Sequence, residues 1–205
     1  MPDEFDEKAT ARSRFVNNRR ALGNHERERQ SRRAVRRLLS EPRLTAAGTV
    51  AAYWPLGTEP DTRPLVEALV ARGATVLLPV LLPDRDLDWA RYGGGPDELE
   101  SGGAGTLRPA GPRLGLDAIL QAQVVVVPAL AVTVKGVRIG RGGGSYDRVL
   151  ARITAAAATG LASPWTCTLL YEDELGTLES TAVEAHDRAV HAACTASRLT
   201  EFRVT

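Results

Sequence analysis

Val124-Val-Val-Val127 is the stretch that most restricts what this chain can become. Four β-branched residues in a row are stiff at χ1 and favour extended backbone. No polar residue alternates with them, so both sides of such a strand must be covered. Pro128 ends the run, because a proline has no N–H for a strand ladder. A strand buried on both faces belongs to a sheet with a layer of helices on each side.

The rest of the chain supplies those layers. Residues 6–39 read as two helices broken at Gly23-Asn24, with Phe15, Val16 and Leu22 in the first and Ala34, Val35, Leu38 and Leu39 in the second. Gly48 to Trp54 reads as a buried strand, followed by a loop to Pro60. Asp61 caps a helix running to Arg72, Gly73 ends it, and Thr75 to Leu78 is the next strand. A strand–helix–strand unit of this kind pairs its strands in parallel. Leu87 to Tyr92 reads as a third, exposed strand. Residues 93–115 are rich in Gly and Pro without periodicity and are expected to be a flexible loop. Asp117 to Gln121 and Tyr146 to Ala158 read as helices, and Thr166 to Tyr171 and Val190 to Cys194 as strands. The expected fold class is α/β: a single three-layer domain over residues 1–205 with a mainly parallel sheet flanked by helices. Residues 1–40 form an N-terminal helical segment preceding the first strand.

Composition narrows the setting. The 205 residues are 43% hydrophobic and 25% charged, as in ordinary globular domains. Cys167 and Cys194 have no metal or disulfide spacing and read as packing residues. No apolar run approaches the roughly 20 residues that span a bilayer, and the polar start lacks a signal-peptide core. A cytoplasmic protein without a membrane partner, and a monomer, is the expectation. The net charge of +1 divides into +5 over residues 1–40 and −4 over the remainder. An arginine-rich start leaves a nucleic-acid-binding module as an alternative, but the near-neutral total counts against a nucleic-acid partner.

The chemistry concentrates in Gly136-Val-Arg-Ile-Gly-Arg-Gly-Gly-Gly-Ser-Tyr-Asp-Arg148. This glycine segment follows a buried strand and leads into a helix. Its glycines let backbone N–H groups approach a ligand, and the helix start adds its own N–H groups and positive end. Arg138, Arg141 and Arg148 bring guanidinium groups suited to phosphate oxygens. Asp147 adds a hard oxygen suited to Mg²⁺. A Walker loop is absent, and a dinucleotide fingerprint begun at Gly140 fails at Ser145. A polyphosphate is the ligand this segment suits; a glycine-rich turn with incidental arginines is the alternative.

The run Arg138-Ile-Gly-Arg-Gly-Gly-Gly-Ser-Tyr-Asp-Arg148 closely resembles the signature of the 5-formyltetrahydrofolate cyclo-ligases, also called 5,10-methenyltetrahydrofolate synthetases. The resemblance extends to Lys8-x-x-x-Arg12, Tyr53-Trp-Pro-Leu-Gly-Thr-Glu59, Val127-Pro-Ala-Leu130 and Glu184-Ala-His-Asp187. It implies a single α/β domain that uses ATP and Mg²⁺ to convert 5-formyltetrahydrofolate to 5,10-methenyltetrahydrofolate, releasing ADP and phosphate. It implies that Lys8, Arg12, Arg138, Gly140, Arg141, Gly142, Gly143, Gly144, Ser145 and Tyr146 bind ATP. Trp54, Glu59 and the run Arg141 to Ser145 would contact the folate, Arg141 and Tyr146 would be catalytic, and Asp147 and Asp187 would hold the metal. Ser145, Gly143, Thr133 and Ala182 depart from the pattern, standing where relatives often have Tyr, Lys, Asp and Pro. A folate- or nucleotide-binding protein of the same fold without turnover is the alternative.

Overall fold

The computed structural model describes residues 4–103, 105–178 and 187–203. Three helices, α1 (Glu4–Ala21), α2 (Asn24–Leu39) and α3 (Pro42–Ala46), precede β1 (Thr49–Ala51). The break between α1 and α2 falls at Leu22-Gly23, and Gly23 takes a φ of 71°. Next come α4 (Arg63–Ala71), β2 (Thr75–Leu81), β3 (Leu87–Tyr92), the hairpin β4 (Leu99–Gly103) and β5 (Thr106–Pro109), and β6 (Val124–Val126). A second hairpin of β7 (Ala131–Val132) and β8 (Arg138–Ile139) leads through the glycine segment into α5 (Ser145–Ala158). The chain closes with β9 (Trp165–Leu169), β10 (Ala192–Cys194) and β11 (Leu199–Glu201).

The central sheet runs β11-β10-β9-β6-β1-β2-β3. The five inner strands are parallel, and β3 and β11 are antiparallel edges. The valine run lies at its centre and divides its side chains by the pleat. Val124 and Val126 pack with Ala34, Leu38, Leu65 and Leu69 under α2 and α4. Val125 and Val127 pack with Val149, Leu150 and Ile153 of α5 on the opposite face. Each buried valine contributes about 1.5–3 kcal/mol, so the sheet is clamped from both sides as the sequence pattern requires.

Two expectations need correction. The strand Leu87–Tyr92 forms, but it is not exposed: Trp89 is fully buried and Leu87, Ala90 and Tyr92 are buried with it. Asp88 and Arg91 make the strand look polar in sequence, yet a 3-10 helix at Leu116–Gln121 covers one side of it through Ala118 and Ile119. Residues 93–115, read as a flexible loop without periodicity, contain the β4–β5 hairpin. Its order comes from backbone pairing and a cross-strand Glu100–Arg108 contact of 2.9 Å, neither of which produces a hydrophobic period. No described helix is long and apolar enough to cross a membrane.

Candidate functional site

Chain order in the sheet reverses at β1, with β2 on one side of it and β6 on the other. In open parallel sheets, ligands bind in the crevice beyond the carboxyl ends of strands at such a point. A cavity of about 330 Å³ opens there. Tyr53, Trp54, Leu56 and Glu59 enter it after β1, Pro128, Ala129 and Leu130 after β6, and Gly140 to Asp147 from the glycine segment.

The glycine segment is held by α1. Arg12 Nε donates to the Gly140 carbonyl at 3.1 Å. Gly142 has a φ of +94°, and a Cβ there would sit 3.5 Å from the Arg12 guanidinium carbon, so the loop lies flat against that side chain. Gly144 caps α5 in the left-handed conformation, φ 71° and ψ −4°. An L side chain there would cost about 1–2 kcal/mol, and its Cβ would approach Arg148 Nη1 to 3.1 Å. Gly142 and Gly144 are thus the glycines that let the loop lie close to Arg12 and turn into α5.

Lys8, one turn before Arg12, shares its face of α1. It is only 2% exposed, and Nζ lies 2.9 and 2.7 Å from the two carboxylate oxygens of Asp187. Lys8 is therefore behind the cavity wall, and Asp187, which it grips, is on the wall. Arg138 is likewise buried, with Nη2 2.7 Å from Asp147 Oδ1 and its guanidinium 6.0 Å from the centre of the Tyr146 ring. Burial lowers the Arg138 pKa, opposed by the charges of Asp147 and Asp187.

Arg141 crosses the mouth of the cavity. Its Nη2 donates to the Leu56 carbonyl at 3.0 Å, and its Nε lies 3.3 Å from Glu59 Oε1. The other Glu59 oxygen accepts from the Leu56 N–H at 2.9 Å. Burial raises the Glu59 pKa, offset in part by that N–H, by Arg141 and by Arg19. Trp54 packs edge-on against Tyr92, with ring centroids 5.6 Å apart. The Tyr146 hydroxyl is sealed from solvent and has no hydrogen-bond partner among the described residues. Burial, then the charge of Glu59, push its pKa up, so it stays protonated. A buried donor without an acceptor at a cavity wall is a group positioned for a ligand atom.

The structure thus brings Arg12, Trp54, Glu59, Arg138, Asp187 and the run from Gly140 to Asp147 to one cavity, and leaves Lys8 just behind it. Ser145 opens α5 on the same wall. Thr133, away from the wall, accepts from the N–H groups of Lys135 and Val137 through Oγ1 at 3.2 and 3.1 Å, and so shapes the β7–β8 turn. Positions 182–186, with Ala182 and the start of the Glu184-Ala-His-Asp187 motif, lie outside the described residues. Sequence reasoning missed Tyr53, the hairpin residues Gly102 and Thr106 to Arg108, and the buried pair Arg19–Glu174. Arg19 donates to Glu174 at 2.6 and 2.9 Å and to the Ala129 carbonyl at 2.6 Å, bolting α1 to the cavity wall. No sequence signal separates Arg19 from the other arginines of α1.

The match to a family model decides the relationship: the model of the 5-formyltetrahydrofolate cyclo-ligase family covers residues 4–196. The chain belongs to that family. A 5-formyltetrahydrofolate cyclo-ligase from Mycolicibacterium smegmatis is 36% identical over 188 residues, covering 89% of this chain and 90% of the relative. One from Escherichia coli K12 is 32% identical over 137 residues, 64% of this chain and 73% of the relative. The fold agrees with the solution structure of 5,10-methenyltetrahydrofolate synthetase from Aquifex aeolicus, with a TM-score of 0.77 at 24% identity over 97% of this chain and 94% of that one. The enzyme of the same name from Mycoplasma pneumoniae gives a TM-score of 0.69 at 16% identity, over 92% of this chain and 98% of that one.

The cyclo-ligase cavity can also be tested against Mg²⁺. Among the described residues no group of three or more His, Cys, Asp and Glu side chains is placed to hold a metal by itself. Asp147 and Asp187 both line the cavity. Mg²⁺ is commonly held by one or two carboxylates together with phosphate oxygens and water, and this pair fits that arrangement.

Proposed function

We propose that this chain catalyses the ATP-dependent cyclisation of 5-formyltetrahydrofolate to 5,10-methenyltetrahydrofolate, with release of ADP and phosphate. The observation that carries the proposal is one cavity in which arginines and glycine backbone meet a partly buried tryptophan, a largely buried glutamate and a sealed tyrosine hydroxyl. The first set suits phosphates, and the second suits a pterin with its donor edge on Glu59. The formyl oxygen takes the γ-phosphoryl group, N10 of the folate attacks the activated carbon, and phosphate leaves as the ring closes. Arg12 and Arg141 neutralise charge on the phosphates, and the loop amides orient them. Lys8 fixes Asp187, and Arg138 fixes Asp147. These two carboxylates would hold Mg²⁺, which when bound supplies charge neutralisation at the phosphates. Tyr146 supplies a protonated hydroxyl at the reacting group. The protein acts as a monomer in the cytoplasm.

The test follows the near-ultraviolet absorbance of the methenyl product with protein, MgATP and 5-formyltetrahydrofolate. Turnover is expected, and Arg141→Ala is expected to lower kcat/KM by about 100-fold or more, the scale of losing a charge-stabilising donor. Folate binding without ATP consumption would replace the proposal with a non-catalytic binding protein. Near-normal turnover in Arg141→Ala would remove that residue from the mechanism.

A further inference from the structure

Among the large apolar side chains most open to solvent, two face the same cavity: Leu81 at 55% exposure and Leu107 at 44%. Leu81 ends β2, and Leu107 lies on β5. Thr106, Leu107 and Arg108 all border the cavity. Successive side chains on a strand point to opposite faces, so a strand that offers three in a row lies edge-on to the space it borders. Exposed leucines cost free energy unless something covers them, and here they flank a concave site.

This wall also carries a cation. Arg108 Nη2 lies 2.9 Å from Glu100, which is half exposed, and its Nε is sealed without a partner among the described residues. The other arginines of the cavity, Arg12, Arg138 and Arg141, come from α1 and the glycine segment. Sheet order separates the two groups: β2 and β3 lie on one side of β1, and β6 lies on the other. The glycine-segment side suits phosphates. The hairpin side offers apolar surface and then a single guanidinium.

We propose that the β4–β5 hairpin and the end of β2 form the subsite for the p-aminobenzoyl-glutamate end of the folate. Leu81 and Leu107 cover the benzoyl ring, and Arg108 pairs with a glutamyl carboxylate that displaces Glu100. Arg108 is thereby the residue that separates a glutamate-bearing folate from its pteroate. This rests on the cyclo-ligase reading above.

The experiment compares 5-formyltetrahydrofolate with 5-formyltetrahydropteroate, which has the same rings and no glutamate. Arg108→Gln is expected to raise KM for the folate about tenfold, the scale of one charge-assisted hydrogen bond, and to leave KM for the pteroate analogue and for ATP within about twofold of the parent protein. Leu107→Ser is expected to raise KM for both folate substrates, with thermal unfolding of each variant confirming the fold. An equal effect of Arg108→Gln on both substrates, or no effect on either, overturns the subsite. Failure of the unsubstituted protein to turn over either substrate overturns the cyclo-ligase reading itself, before any variant is compared.

Discussion

Breaking the Arg19–Glu174 pair should destabilise the protein unequally from its two ends. Both side chains are almost fully buried, at 1% and 3% exposure. Removing one partner of such a pair typically costs about 3–5 kcal/mol, because the other charge is left without compensation. For a domain of this size that corresponds to a fall of about 6–20 °C in Tm. Glu174→Leu strands a guanidinium that cannot lose its proton, with the Ala129 carbonyl as its remaining acceptor. Arg19→Met leaves a carboxyl that can neutralise itself. Burial already raises the Glu174 pKa against the pull of Arg19, and its Oε2 still accepts from the Tyr171 N–H at 3.0 Å. Without Arg19 that pKa rises further. A carboxyl whose folded pKa exceeds its unfolded value carries no penalty below the unfolded pKa, and the penalty grows as pH rises through the folded one. The Tm deficit of Arg19→Met should therefore shrink on approaching a pH of about 4.3, while that of Glu174→Leu persists. The double variant Arg19→Met/Glu174→Leu should recover most of the loss, since well-packed apolar replacements of buried pairs are often neutral. Thermal unfolding followed by circular dichroism at two pH values measures all three. Single-variant costs below about 1 kcal/mol, or a larger loss for Arg19→Met at every pH, would refute this account.

Glu59 and Tyr146 make two further cases. Because burial raises the Glu59 pKa, its carboxylate protonates at a higher pH than an ordinary glutamate. KM for the folate should rise as pH falls through that raised value, and Glu59→Gln should flatten the profile. A KM that is constant with pH in the parent protein would separate Glu59 from folate binding. Tyr146→Phe removes a hydroxyl with no partner among the described residues, so stability should change by less than about 1 kcal/mol. Turnover should fall by about tenfold or more if that hydroxyl acts at the reacting group, as a steady-state assay would read.

The layered fold was legible because it rests on patterns the chain repeats locally. The valine run, the α4 stretch between two apolar strands and the glycines before α5 each carry their meaning within a few residues. Trp54, Glu59 and the glycine segment were legible as one site through family resemblance, and the sheet reversal at β1 supplies the physical reason they meet. The hairpin was not legible, because Ser101 and Gly103 pair through backbone across a register shift at Gly102 and leave no period. The burial of β3 depends on a 3-10 helix more than twenty residues later in the chain. Lys8 and Arg19 look like solvent-facing residues on a charged helix. Their carboxylate partners lie 179 and 155 positions away, a distance no local reading crosses.

The placement of Trp54 also gives the protein an optical readout. Its indole borders the cavity and leans edge-on against Tyr92, whereas Trp89 is sealed in the core and Trp165 lies under the Arg43 guanidinium at 5.2 Å. A ring stacking in the cavity would quench one emitter of three and leave two as an internal baseline. Occupancy could then be titrated by intrinsic fluorescence, with no label and no turnover.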